Sequence, residues 1–524
     1  MEAPLVSSTK MSPRALGLAA VVLLCGLVVL QMFVSPLIAF AVFAGGLFIV
    51  LTFVRPLGVL AFLALYLPFE PFLLQFVPNV VYAFVRYLPE GLIYLLCAVV
   101  AWRLWRKKKR LHVTPITAGF VLFLILLLAS ILINVVNPTV AILGVRQIIR
   151  FMLLFFIAVE LQPSERYVKR LTLALFGVLL FESVLGIVQR FSGGALDPYL
   201  LPANAHTLAD LTLTSGVDQF WDPGSRAFAT FGRYDVFGNF LAFFLALASG
   251  LLYEPLMRKD WRILWWVFAL GLPALVLTFS RASWFGFLIG FLFIALILYR
   301  DTRVAAGFAA FVIVAFGYVA VTGLNVSTIT EESGQTLIER FYETFSIARW
   351  QGEYYGLGRV YWIVQTPLVV VRSSPLFGVG PGQFGGGAVA ALGNMTVYEK
   401  LGLPFGVFGT DGSIDNNWFA LWGETGTLGL VVYLWIYAQL MKMGEQARTS
   451  NASHFVRALG AGYTAALLGG LLIAFLSTAL EIRTYAFYVW LYGGFVYGLT
   501  KNAGRKDGGN AGREDAGRVD GNAK

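Results

Sequence analysis

The chain has 524 residues, of which 58% are hydrophobic and only 13% charged, with a net charge of +10. That balance excludes a soluble globular domain. With no zinc-finger or RNP-like pattern, the excess Lys and Arg reads as the mark of cytoplasmic loops in a membrane protein, not of a nucleic-acid-binding one.

Apolar runs follow one another from the start. Residues 15–34, 36–54 and 116–136 each approach the ~20 residues needed to cross ~30 Å of hydrocarbon. Lipid offers the backbone no partners, so such runs read as helices. The first run lacks a small-residue cleavage site and leads directly into the second, so it reads as a retained helix. Cys25 and Cys97 fall in apolar runs, and with three histidines they give no metal-ligand or disulfide pattern; the chain is expected to use neither metal nor cofactor.

Basic loops set the orientation. The stretch RLWRKKKR, Arg103–Arg110, is the strongest cytoplasmic anchor, followed by 166–170, 258–262, 300–303 and 442–457. Placing all of them inside predicts an all-α polytopic protein of about 14 transmembrane helices at ~20 residues each. The spans expected are 15–34, 36–54, 56–77, 89–105, 115–136, 139–161, 171–190, 235–254, 262–279, 283–299, 304–323, 418–441, 456–479 and 483–500. Both termini are then cytoplasmic. Two long loops fall outside, 191–234 and 325–417, and the second, between spans 11 and 12, is large enough to form a cap. Within it, 331–355 reads as an interfacial helix, 359–371 as an apolar helix, and the Gly-rich run 378–387 as a hinge. The tail from Lys501, rich in Gly, Asp, Arg and Asn, reads as disordered.

Four motifs stand in one order: RAFATFGRYDVFGNFLAFFLAL from Arg226, LTFSRASWFGFLIGFL from Leu277, GRVYWIVQTPLVVVRSSPLFGVGPGQF from Gly358, and DNNWFALWGETGTLG from Asp415. This series resembles the O-antigen ligase and O-antigen polymerase superfamily of bacterial membrane glycosyltransferases. The resemblance covers roughly residues 226–440. It divides the chain into N-terminal helices (1–225), a ligase/polymerase-like core (226–440), C-terminal helices (441–500) and a tail (501–524). It implies a metal-independent reaction on the outer face of the inner membrane. A glycan carried on undecaprenyl diphosphate is attacked by a sugar hydroxyl of the acceptor. The acceptor is a lipid-linked repeat unit in polymerases and a lipid A core in ligases, and a chain-length regulator is a further expected partner. Many members, notably the ligases, begin the fourth motif with His-Asn, where this chain has Asp415-Asn416. The Asp variant resembles some polymerases of the family, so repeat-unit polymerisation is the expected activity. Ligation to a lipid A core or a protein is the alternative, and a transporter or flippase is the rival of another class.

The chemistry asks for cations to hold a diphosphate and a base to take a hydroxyl proton. Arg226, Arg233, Arg281 and Arg359 all fall at the outer boundary on this topology, and the planar guanidinium fork suits phosphate oxygens. Snorkelling or a structural ion pair is the plainer account of each. Arg146 and Arg150, four apart, share one helix face and could reach the diphosphate from another side, or serve as a positive-inside anchor. Asp415 is the candidate base, with a helix N-cap as the competing role; Asn416 joins it as a substrate-binding candidate. Glu424, about 13 Å along the same helix and on another face, is expected to brace structure. His206 is the alternative base. Trp350, Tyr354 and Tyr355 either stack on sugars or anchor at the interface.

Overall fold

The computed structural model describes residues 21, 25–26, 31, 34–202, 206–208, 211–213, 223–330, 335–410 and 412–519. Apart from a two-stranded hairpin at His206–Leu208 and Leu211–Leu213, its regular structure is helical. Among the described residues nine helices are long and apolar enough to cross a membrane, ten if one bent pair counts as a span. The helices used below are α1 Pro36–Val54, α2 Pro56–Leu74, α3 Asn79–Arg106, α4 Thr117–Ile133, α5 Pro138–Ile149, α6 Met152–Leu161, α7 Glu165–Phe191, α8 Tyr234–Tyr253, α9 Ile263–Leu277, α10 Arg281–Leu298 and α11 Thr302–Thr322. They continue with α12 Leu337–Glu343, α13 Ile347–Tyr355, α14 Arg359–Val371, α15 Asn417–Thr449, α16 His454–Leu476 and α17 Arg483–Val519.

The fourteen expected spans therefore meet fewer helices of full length. Those at 115–136 and 262–279 appear as α4 and α9, which are shorter than a full crossing. The span expected at 139–161 is two helices, α5 and α6, bent by 52°. Helix α3 begins ten residues before expectation and carries Pro89 in its interior. The 15–34 run lies almost wholly outside the described residues. Helix α17 runs on to Val519, into a tail whose composition suggested no order; extending an existing helix avoids the cost of nucleating one.

Helix α8 is central, with 83% of its apolar window buried, whereas α11 buries none of its residues. Small residues let the middle of the bundle close up. Gly286 and Gly290, spaced as in GxxxG, put α10 against α16 so closely that a Cβ at Gly469 would stand 2.1 Å from the Gly286 carbonyl oxygen. Gly250 on α8 meets Gly462 on α16 in the same way. Tyr437 donates to the Leu467 carbonyl at 2.9 Å and so ties α15 to α16.

Two ends result. At one, Tyr253 donates to Asp301, while His454 and Arg457 face Glu254, so several basic loops gather there. At the other lie the starts of α8, α10 and α15 and the turn between α16 and α17. Ser283 donates to Asn239 at 2.8 Å across the starts of α10 and α8. The Asn417 amide donates to Ser477 at 3.2 Å, and Leu480 N–H returns a bond to Asn417 Oδ1 at 3.0 Å.

Residues 359–414 form a small core of their own against the start of α15, built on Trp362, Phe384, Val389, Tyr398 and Ile414. Helix α15 is not one rod. It breaks at Gly426 (φ 68°, ψ −175°), and the segment before the Gly-rich run sits in the break. Thr427 N–H donates to Pro375 and Leu428 N–H to Leu376, so the backbone groups freed by the break find partners within the protein.

Candidate active site

The site is built at the end where α8, α10 and α15 begin. The first motif enters it as a loop held from behind by α7. The Gln189 side-chain Oε1 accepts from Phe228 and Ala229 N–H at 2.9 and 2.8 Å, and Glu182 accepts from Thr230 N–H and hydroxyl. Ala227 N–H also bonds Leu277 O at 3.0 Å, at the first residue of the second motif. Fixed in this way, the loop presents Arg226 over the Tyr234 ring at 4.2 Å. Arg233 is in a two-point pair with Asp235 at 3.0 and 3.1 Å. Burial opposes the charge on Arg233, but Asp235, Tyr234 and Asp415 more than offset it and hold the group above its ordinary pKa.

Arg359 and Asp415 meet at 3.1 Å between Nη2 and Oδ2, each side chain 27% exposed. The cap of α15 is not Asp415. Asn416 fills that position, its Oδ1 accepting from Phe419 N–H at 3.1 Å. The competing role considered for Asp415 thus falls to its neighbour, and Asp415 stands free of the helix. Asn416 is fully buried, which places it beneath the surface that Asp415 offers.

From this pair a chain of charges runs back to the second motif. Glu353 accepts from Arg359 N–H at 2.8 Å and pairs with Arg349. Arg349 reaches Glu343 at 2.5 Å, and Glu343 in turn meets Arg340 and Arg281, each at 2.9 Å. Glu343 is wholly buried, and three guanidinium groups face its carboxylate. The segment expected as one interfacial helix over 331–355 is two short ones, α12 and α13. Their charges turn inward to Arg281 instead of outward to lipid headgroups. The aromatic candidates sit at the rim: Trp350 donates to Thr344 O, Tyr354 packs on Tyr361, and Tyr355 is 81% exposed. His206 is on the hairpin, and its side chain lies outside the described residues.

Residues 266–434 match the family described as O-antigen ligase. The chain carries an O-antigen ligase domain. The matched stretch takes in Arg281, Arg359, Asp415, Asn416 and Glu424, while Arg226, Arg233, Arg146 and Arg150 precede it. A comparison with curated proteins returns no match.

Within the O-antigen ligase domain the Gly-rich run is not a hinge. It is buried and bonded along its length. Val379 and Gly380 N–H donate to Gly423 and Glu424 carbonyls, Gly382 N–H to the Glu424 carboxylate at 2.9 Å, and Gly385 N–H to the Tyr398 hydroxyl at 2.9 Å. Gly378 has φ +67°, and a Cβ there would stand 2.4 Å from Gly426 N; only glycine meets both conditions. Glu424 therefore braces this loop where it crosses α15. Ser130 and Asn134 at the end of α4 hold the same loop through Phe377 O and Gly378 O.

Arg146 and Arg150 are not gathered with the other arginines. Both turn to Glu90 on α3, Arg146 with two nitrogens and Arg150 at 3.4 Å. Arg150 also donates to Glu481 O at 3.1 Å. Sequence reasoning missed Glu343, Glu353, Gln189 and Glu182. The only available signal was an acidic or amide group in an apolar run, as at Glu182 and Gln189, where an unpaired polar group is costly.

Proposed function

We propose that this protein is a glycosyltransferase of the outer face of the bacterial inner membrane that polymerises surface-polysaccharide repeat units carried on undecaprenyl diphosphate. The observation that carries the reading is the half-buried Arg359–Asp415 pair inside an O-antigen ligase domain, with Arg233 and the Arg226–Tyr234 stack beside it. An acceptor sugar hydroxyl attacks the reducing-end carbon of the donor glycan. The carbon–oxygen bond to the diphosphate breaks, the diphosphate leaves with the electron pair, and Asp415 takes the hydroxyl proton. Arg359, Arg233, Arg226 and Arg281 supply donors for the diphosphate and the charge that develops on it. Asn416 fixes the direction of the helix start from which Asp415 projects.

A flippase reading draws on the broken helix, since discontinuous spans are common in transporters. Here the break is filled by the chain's own loop, which favours an enzyme. The test is reconstitution with lipid-linked repeat units as sole substrate, read on a ladder gel. A ladder lost in Arg281→Ala and Asp415→Asn supports the polymerase. Transfer only after a lipid A core or protein acceptor is added would make it a ligase and overturn the reading.

A further inference from the structure

A small cavity opens beside α5, lined by Tyr87, Leu143, Arg146, Gln147, Gly387 and Ala391. We infer that it is a subsite for a neutral sugar ring of the glycan, separate from the arginine group around Asp415; the inference rests on the proposed glycan-transfer reading.

The polar groups of the cavity are fixed and their charge is met. Arg146 gives Nε and Nη2 to the Glu90 carboxylate, and the Tyr94 hydroxyl donates to the same carboxylate at 2.8 Å. Gln147 gives Nε2 to Glu481 at 3.1 Å, whose carboxylate also accepts Gly387 N–H at 2.8 Å. Arg150 locks the far side by reaching both Glu90 and Glu481 O. What remains unengaged among the described residues is a donor, Arg146 Nη1, and an acceptor, Gln147 Oε1. A sugar hydroxyl donates and accepts, so it satisfies both; a phosphate only accepts and would set its oxygens against Gln147 Oε1. The Glu90 and Glu481 carboxylates together stand against Arg146 and Arg150, so the cavity has no surplus cation to attract a diphosphate. Tyr87, over which Arg146 lies at 5.3 Å, adds an aromatic wall alongside Leu143 and Ala391, suited to the apolar face of a ring.

The position fits one glycan spanning both places. Gly387 is two residues from Gly385, which pairs with Ser413, two residues before Asp415. At ~3.6 Å per residue and ~5 Å across the pairing, the cavity lies within about 20 Å of Asp415. The Ser477–Glu481 turn contacts both, through Asn417 and through Gly387 and Gln147.

The probe is the free repeat-unit oligosaccharide, released by mild acid from the host's lipid-linked pool. Its binding to the purified full chain is followed by saturation-transfer-difference NMR, using variants that elute as the wild type does. Gln147→Ala weakens binding about three- to tenfold, as loss of one neutral hydrogen bond does, and Ala391→Trp abolishes it by filling the cavity. Arg281→Ala and Asp415→Asn retain it, and inorganic pyrophosphate does not displace it. Unchanged binding in Ala391→Trp, or displacement by pyrophosphate, overturns the subsite. A wild type that binds the oligosaccharide in this cavity yet extends no lipid-linked unit overturns the polymerase reading and leaves the subsite standing.

Discussion

Arg359 Nη2 lies 3.1 Å from Asp415 Oδ2 across 56 residues of chain, and the contact joins the third motif to the fourth. Neighbouring positions separate chemistry from scaffolding. Asp415→Asn should lower kcat about 10²- to 10⁴-fold, the usual worth of a positioned base, with the fold intact. Asn416→Ala should instead lower stability by about 1 kcal/mol through loss of the cap. Turnover of lipid-linked units and thermal unfolding in detergent, measured on both variants, distinguish the two. A stable Asp415→Asn with full turnover removes the base assignment.

Glu343 is the point where the charge chain is most exposed to damage. Glu343→Gln leaves Arg281, Arg340 and Arg349 facing a neutral amide, and breaking one side of a buried pair costs about 3–5 kcal/mol. A marked fall in the thermal unfolding midpoint is expected. Tyr355→Ala, at the exposed rim, should leave the midpoint unchanged. Equal midpoints for the two variants would mean that the network carries no structural weight.

Gly378→Ala and Gly426→Ala should each prevent normal folding, because both residues have positive φ and a new Cβ would lie 2.4 Å from backbone. Gly307→Ala on α11, with nothing within 4 Å, should fold as well as the wild type. The monodisperse fraction on size-exclusion chromatography reports all three.

Gln189→Ala leaves Phe228 and Ala229 N–H without their acceptor. Each unsatisfied buried donor costs about 1–3 kcal/mol, and the loop that presents Arg226 loosens. The expected result is a raised KM for the lipid-linked donor together with a lower unfolding midpoint. A lower midpoint with unchanged KM would show that Gln189 supports the fold without setting the site.

Much of this was legible in the sequence, for physical reasons that differ by element. Long apolar runs identify helices because lipid demands them. Arg359 and Asp415 stood out because ionisable groups at helix mouths near lipid need a reason to be there. The break at Gly426 was hidden, since apolar residues continue on both sides and one glycine in a helix is unremarkable. The Asp-Asn-Asn start could not say which residue caps, because all three favour that position. Glu343 and Glu353 fell in a stretch that read as an interfacial helix, and their turn inward depends on Arg281 arriving from another helix. The Gly-rich run suggested looseness, yet glycine serves there for close approach, as Gly144 against Pro381 and Gly382 also shows.

The loop seated in the break of α15 anchors the segment that connects α11 to α15 near its middle. Residues 375–387 cannot swing aside, because withdrawing them would strip partners from Thr427, Leu428 and the Glu424 carboxylate at once. Helices α12 and α13 are attached separately, through the Arg281–Glu343 pair and the Tyr342 bond to Ala315 O. The connecting segment is thus held at two separate places, by α12 against α10 and α11 and by residues 375–387 against α15.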